Sequence, residues 1–278
     1  MIARRVLLAS AALAGCAPRL VPLDGASSPE AQALLAASAR AHGSLAGIGE
    51  VRVEYAGQFD SLVDRLQPEL VDAGYRSTAQ DRLDLRTGLH KQTQTGPSGT
   101  KQVERTKDTV RVSFNGTEAT DRPRRDAAAL VADCYRLFLL GPLLLTGPWA
   151  TERSLTLALA SPEQITVGGQ TQDCDVVRVT MRPGLGLSEN DELGLYIDRS
   201  ERLMRRVRFT LNGHMPTRGA IAETDCWAHF TQDGVRWAAQ YEERLLRPLP
   251  LHVHEWRMTA LAVMRTKPTS ARPFSGLR

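Results

Sequence analysis

The apolar positions of the chain follow two periods in turn, one near 3.6 residues and one of two, and the switches between them mark its elements. Ser28-Pro29-Glu30 opens the first helical stretch. Ser28 is a candidate N-cap, and Pro29 suits the first turn, where its missing N–H would have no helical partner anyway. Ala31 to Ala41 is rich in strong helix formers, with Leu34, Leu35 and Ala39 as apolar anchors, and His42-Gly43 ends it. The period then drops to two: Val51, Val53 and Tyr55 alternate with Glu50, Arg52 and Glu54, as in a strand with one wet face. Further strands are expected at 73–80, 82–86, 88–95, 100–106 and 109–115. Val110-Arg-Val-Ser-Phe114 is the clearest, and Asn115-Gly116 is its turn. Residues 59–70 read as a short helix or an insertion.

The helical period returns over 123–139, where Pro123 fits the first turn and Ala127 to Phe138 carry an apolar stripe until Gly141-Pro142 breaks it. Strands resume at 155–159, 164–167 and 171–182. A hairpin joins 193–197 to 203–212 through Asp198-Arg199-Ser200, and Asp233-Gly234 joins 221–231 to 235–245. A last strand runs through 251–264. Tight turns without long βαβ crossovers argue against a parallel doubly wound sheet. The expectation is an α+β, mostly antiparallel fold of about 10–12 strands in one strongly curved sheet or partial barrel.

At the N-terminus, Arg4 and Arg5 precede an apolar run from Val6 to Ala14 that only Ser10 interrupts. A bilayer span takes about 20 apolar residues, so this run suits the core of a signal peptide instead. Leu13-Ala14-Gly15-Cys16 resembles the bacterial lipoprotein signal, the lipobox. The resemblance implies cleavage before Cys16, acylation of its thiol, and stable attachment to a membrane through more than one chain. Ala17 after the cysteine implies, by the same sorting logic, the outer membrane, facing the periplasm. The expected organisation is a signal peptide at 1–15, a tether at 16–28, one domain at 29–264 and a loose tail at 265–278.

Charge matters mainly through that cleavage. The chain has 35 Lys and Arg against 31 Asp and Glu, and residues 1–15 hold two of the arginines and no acid, which leaves 33 against 31. The remaining charges are interspersed, and nothing asks for a nucleic-acid partner. With Cys16 set aside, Cys134, Cys174 and Cys226 form an odd set. Cys174 and Cys226 fall in strand-like segments and are the candidate disulfide, with buried free thiols as the alternative. No CxxC pair or Cys/His cluster has zinc-ligand spacing, so neither metal nor cofactor is expected.

Behind the lipobox, residues 29–264 resemble the lipoprotein-carrier (LolA/LolB-like) superfamily. The features that carry this are the first helix ending Ala-His-Gly, the strand Gly-Glu-Val-Arg-Val-Glu-Tyr and the central helix continuing into Gly-Pro-Leu-Leu-Leu. LYIDRSERLMRRVRF and FTQDGVRW are similar to the paired late strands of such proteins. The resemblance implies an unclosed half-barrel whose N-terminal and central helices cover the concave face over a hydrophobic cavity. It implies no particular ligand-binding residues here.

The most apolar stretch beyond the signal is YRLFLLGPLLLTGPW, residues 135–149, in which two Gly-Pro pairs rule out a membrane span. Leu137, Phe138, Leu140, Leu143, Leu144, Leu145 and Trp149, with Val110, Val112 and Phe114, are candidates to line a ligand cavity; the alternative is that they complete the core. His252 and His254 are expected on one strand face, a permissible metal geometry without a recognisable third ligand. His42 is expected to cap the first helix, whose C-terminal dipole would favour its protonated form. Trp227 and Trp237 flank one hairpin and could meet across it. Asp81, Asp84, Asp191 and Glu192 offer acids, but no hydrolase, phosphate-loop or HExxH signature accompanies them. The expected protein is a non-enzyme: a membrane-anchored lipoprotein that binds or transfers a lipid or acylated ligand. The alternative is an interaction lipoprotein with a packed core and an envelope protein partner.

Overall fold

The computed structural model describes residues 19–59 and 61–266. The expected signal peptide, Cys16 and nearly all of the expected tail lie outside these residues. Helix α1, Pro29–His42, starts where the sequence places it, with the Ser28 hydroxyl accepting the Ala31 N–H at 3.2 Å. It stops at Gly43, whose φ of 111° and closeness to Gly234 (an added Cβ would lie 2.1 Å from the Gly234 carbonyl oxygen) admit no side chain.

Strand β1, Ile48–Phe59, is followed by two short helices, α2 (Ser61–Leu66) and α3 (Pro68–Val71). A meander then runs through β2 (Thr78–Asp84), β3 (His90–Gly96), β4 (Gly99–Arg105), β5 (Val110–Phe114) and β6 (Thr117–Glu118). Three consecutive helices follow: α4 (Arg122–Leu140), α5 (Pro142–Thr146) and α6 (Pro148–Thr151). The second half comprises β7 (Ser154–Val167), β8 (Gln170–Arg182), β9 (Asp191–Asp198), β10 (Met204–Thr210), β11 (Ile221–Trp227), β12 (Phe230–Gln232), β13 (Val235–Trp237), β14 (Gln240–Arg247) and β15 (Leu251–Arg265).

Thirteen of these strands form one antiparallel sheet in the order β6-β5-β4-β3-β2-β1-β15-β14-β11-β10-β9-β8-β7. The two halves are joined at its centre, where β1 pairs with β15 from Ile48↔Arg265 to Phe59↔His254. The chain leaves the sheet at one edge, β6, and re-enters at the other, β7. Laid flat, thirteen strands would be about 58 Å wide, whereas a helix of α4's length spans about 28 Å. The connection is possible because the sheet curls and α4 crosses its concave side. One helix therefore touches both wings. Tyr135 stacks on Trp256 of β15 at 5.4 Å, Phe138 meets Phe209 of β10 at 5.5 Å, and Asp133 binds Arg105 of β4 at 3.1 Å. Every residue of α4 from Ala127 to Leu140 is buried. The expected curved half-barrel with helices over its concave face is what the chain forms.

Several local expectations change. The strands expected at 73–80 and 82–86 are the single strand β2, because Asp72 and Gly74, both at positive φ, turn the chain before Thr78. The segments 155–159 and 164–167 fuse into β7 across an irregularity between Ala160 and Glu163. Pro162 sits there, tolerated because β7 is an edge strand. The late hairpin also divides: β12 and β13 form a separate ribbon turning at Asp233-Gly234, while β11 pairs with β14. Trp237 thus faces Phe230 and Trp227 faces Gln240, so the two tryptophans do not meet.

Cys174 and Cys226 are buried free thiols, as is Cys134. Cys174 lies on β8 and Cys226 on β11, with β9 and β10 between them. That is about 14 Å, roughly twice the reach of a disulfide. His42 does not act as a charged cap. It is buried, its Nε2 accepts the Met204 N–H at 3.0 Å, and its Nδ1 lies 3.2 Å from the Arg236 carbonyl oxygen. Burial pulls its pKa down to about 4. His252 and His254 point differently because β15 carries one extra residue, Val253, against the register of β14. His254 is buried and stacks on Trp256 at 4.5 Å, while His252 stays near the surface.

The second half of the expected tether is strapped to the body. The Ser28 N–H donates to the Leu157 carbonyl at 2.8 Å and the Leu157 N–H to the Ser27 hydroxyl at 3.1 Å, along the free edge of β7. The Leu23 N–H binds the Thr180 hydroxyl at 2.7 Å.

Candidate functional site

Beneath most of α4 the interior is filled. Ala128, Ala129 and Ala132 let the helix settle directly onto Val103, Val110 and Val112, with Phe114 packed at the margin of that cluster. Leu137 and Leu145 belong to the central core. Phe138 borders a space of about 40 Å³ on one flank of α4, beside Arg76 and Glu243. Burial pushes the Glu243 carboxyl up to about 7, partly offset by Arg76. Of the ten residues expected to line a cavity, Val110, Val112, Phe114, Leu137, Phe138 and Leu145 are packed elsewhere.

The remaining four, Leu140, Leu143, Leu144 and Trp149, do converge on one cavity. It has a volume of about 370 Å³, within the range of small-ligand pockets. It lies where α4 ends and α5 and α6 begin, facing the loop before β1, the β2–β3 turn and the β4–β5 turn. Leu45, Ile48 and Leu83 complete an apolar wall opposite the leucines of α4 and α5.

The other wall is charged. Arg105, Asp133 and Arg136 line the cavity and are 2%, 1% and 6% exposed. Asp133 and Arg136 share a face of α4 with Leu140 by helical spacing. Asp133 accepts from Arg105 Nη2 at 3.1 Å and from the Gly186 N–H at 2.9 Å, which fixes the turn after β8. Arg136 Nη2 donates to the Gly88 carbonyl at 2.9 Å, tying α4 to the β2–β3 turn. Arg153 lies over the Trp149 ring, its guanidinium carbon 3.4 Å from the ring centroid, and donates to the Trp149 carbonyl. Burial pulls the Arg153 pKa down to about 10, with Arg105 and Arg136 adding to the effect and Asp133 opposing it. The sequence reading missed this wall. The signal was present in Asp133 and Arg136, two charges inside an otherwise apolar helical run.

The other candidate acids have structural roles. Asp191 accepts from the Leu185 N–H, the Thr210 hydroxyl and the Asn212 N–H, and burial raises its pKa to about 6. Asp81 accepts from Gln92 and His90 inside the sheet. Asp84 holds the β2–β3 turn through the Arg86 and Thr87 N–H groups and reaches the cavity rim. On the surface, Glu242, His252 and Glu255 bring donor atoms within 4.8 Å of one another, an arrangement common without a metal. Among the described residues no helix is long and apolar enough to cross a membrane.

The class defined by these features is an unclosed antiparallel half-barrel, packed under a central helix and open at one end into an apolar cavity with a cationic wall. Solved structures are similar to it to different degrees. The LolA superfamily protein NE2245 from Nitrosomonas europaea matches with a TM-score of 0.50 and 11% identity, over 85% of this chain and 94% of that one. A DUF1329 family protein from Desulfovibrio piger matches at a TM-score of 0.49 and 10% identity, covering 84% of this chain and 92% of its own. A Vibrio parahaemolyticus domain, provisionally described as an outer membrane lipoprotein-sorting protein, matches at 0.46 and 10%, over 83% and 91%. The likeness to the LolA superfamily protein bears out, at the level of fold, the resemblance read from the sequence. No family model and no curated protein matches the chain.

Proposed function

We propose that this protein is a non-catalytic, membrane-anchored envelope lipoprotein that binds or passes on a hydrophobic ligand, a lipid or acylated molecule, in the cavity at the end of α4. The carrying observation is an apolar wall of Leu140, Leu143 and Leu144 facing Leu45, Ile48 and Leu83 across about 370 Å³. The leucine side of that space gains from an apolar occupant, which removes its surface from water. The Leu-Ala-Gly-Cys16 signal supports attachment to a membrane, which is itself a source of such ligands; Ala17 favours the outer one. The fold shared with a LolA superfamily protein supports the same reading.

The test is native mass spectrometry of the detergent-extracted full chain, followed by titration of the delipidated protein with a neutral acyl probe, dodecanol. Acylated Cys16, a displaceable lipid mass and saturable dodecanol binding are expected. Leu45→Trp, which fills the cavity from its half-buried loop side, should abolish that binding without unfolding the protein. An unmodified N-terminus beyond Cys16 would overturn the anchor. Absence of dodecanol binding to the delipidated wild type would overturn the cavity reading.

A further inference from the structure

The charged wall of the cavity carries more cations than its own acids neutralise. Five basic residues, Arg86, Arg105, Lys107, Arg136 and Arg153, share the lining with three acids, Asp84, Asp133 and Glu152. The acids pair one to one: Asp84 with Arg86 at 4.0 Å, Glu152 with Lys107 at 3.7 Å, and Asp133 with Arg105 at 3.1 Å. Arg136 and Arg153 remain. Among the described residues neither forms an ion pair, and each donates to a backbone carbonyl, that of Gly88 and of Trp149 respectively. The Nε atoms of Arg105 and Arg153 are buried without a hydrogen-bond partner. Uncompensated buried cations are costly, and guanidinium groups suit carboxylate and phosphate oxygens because several N–H donors can meet them at once.

The structure assigns this cavity, on the reading proposed above, to a single-chain amphiphile with an anionic head, a carboxylate or phosphate. The head would sit against Arg136 and Arg153 and the chain along the Leu140, Leu143 and Leu144 wall. Both halves of the ligand follow from one cavity: the leucines alone would accept any acyl chain, and the two unpaired arginines select for the head. A low-dielectric wall on one side strengthens that selection, since the charges are poorly screened.

The experiment compares ligands that differ only at the head. Delipidated full-length protein is titrated with dodecanoate, dodecyl phosphate and dodecanol, and separately with acetate and inorganic phosphate, in about 0.15 M salt. One or both anionic amphiphiles should bind about tenfold or more tighter than dodecanol, the scale of a charge-assisted hydrogen bond, and the stronger of them identifies the head. Acetate and phosphate alone should bind far more weakly. In Arg153→Gln the preference should fall to within about threefold while dodecanol binding persists, which also shows that the variant is folded. Arg136→Gln should act the same way.

Equal binding of dodecanol and both anionic amphiphiles would overturn the head assignment and leave the cavity reading intact. A preference surviving both arginine substitutions would overturn it too, as would a free anion binding as tightly as the amphiphiles. Failure of every chain-bearing probe would remove the cavity reading itself, and this inference with it.

Discussion

His42 offers a sharp test of the packing of α1 against the second half of the sheet. The residue is 6% exposed, and both ring nitrogens are engaged. Because Nε2 accepts the Met204 N–H, it must be unprotonated, and Nδ1 then carries the proton offered to the Arg236 carbonyl. Protonating Nε2 would cost that bond and place a cation in a buried site near Arg205 and Arg236. Burial is the main cause of the depressed pKa, about 4, with those arginines adding to it. An unfolded histidine titrates near 6.5. Between about 6.5 and 4 the unfolded chain therefore binds more protons than the folded one, and stability falls as pH falls. The full shift corresponds to about 3 kcal/mol, of which about 2.5 is lost between pH 7 and 4.5. The assay is urea unfolding at half-unit pH steps for the wild type and His42→Asn. Asparagine has no charge to acquire, so its curve should be flatter by about that amount, whatever other groups titrate in both proteins. Parallel curves would refute the neutral, doubly bonded ring.

Three further outcomes follow from the packing. Lys101 Nζ lies 2.6 Å from Asp72 Oδ2 with both side chains buried, and Arg76 Nη1 stays 3.8 Å from the same oxygen, so Lys101→Met alone should cost about 2 kcal/mol in urea unfolding, less than the loss of a carboxylate's only partner. Asp72→Asn added to it should restore only part of the loss, because it also takes a carboxylate from Arg76, and simple additivity would contradict the pairing. Gly43→Ala should cost more than about 2 kcal/mol, given its positive φ and the nearby Gly234 carbonyl; a melting temperature within about 1 °C of wild type would refute that close approach. Cys134, Cys174 and Cys226 should react with a thiol reagent only on unfolding, since burial raises all three pKa values, and reductant should leave the melting temperature unchanged. A reductant-dependent drop would reveal a bond that the strand order forbids.

The wet-faced strands were legible because burial imposes period two on the side chains. Val51, Val53 and Tyr55 are 0%, 1% and 4% exposed, as their alternation with Glu50, Arg52 and Glu54 predicts. The α4 helix was legible from its helical period and from Pro123 and Gly141-Pro142 at its ends, but its burial on every side was not. That depends on the chain leaving at β6 and returning at β7, and on β1 meeting β15 from the far end of the domain, which no local pattern encodes. Irregularities defeated periodicity in the same way: one extra residue at Val253 separates His252 from His254, and positive φ at Ala228 interrupts the hairpin on which Trp227 and Trp237 would have met.

The cavity joins what was legible to what was not. Gly141-Pro142 and Gly147-Pro148 were read as breaks that exclude a membrane span, and the structure shows what the breaks do instead. Gly141, at a φ of 49°, ends α4 and turns the chain, so that α5 and α6 are short and change direction rather than continuing across the sheet. A continuous helix would have carried its leucine stripe onward along the sheet. The interrupted one leaves Leu140, Leu143 and Leu144 around a space at the end of the half-barrel. The same interruption brings Trp149 and Arg153 back beside Arg136, one turn before the break. The leucine wall and the two unpaired arginines thus meet through one conformational feature of the chain, the termination of α4. For that reason a substitution that heals the helix should close the cavity and lose the head preference together.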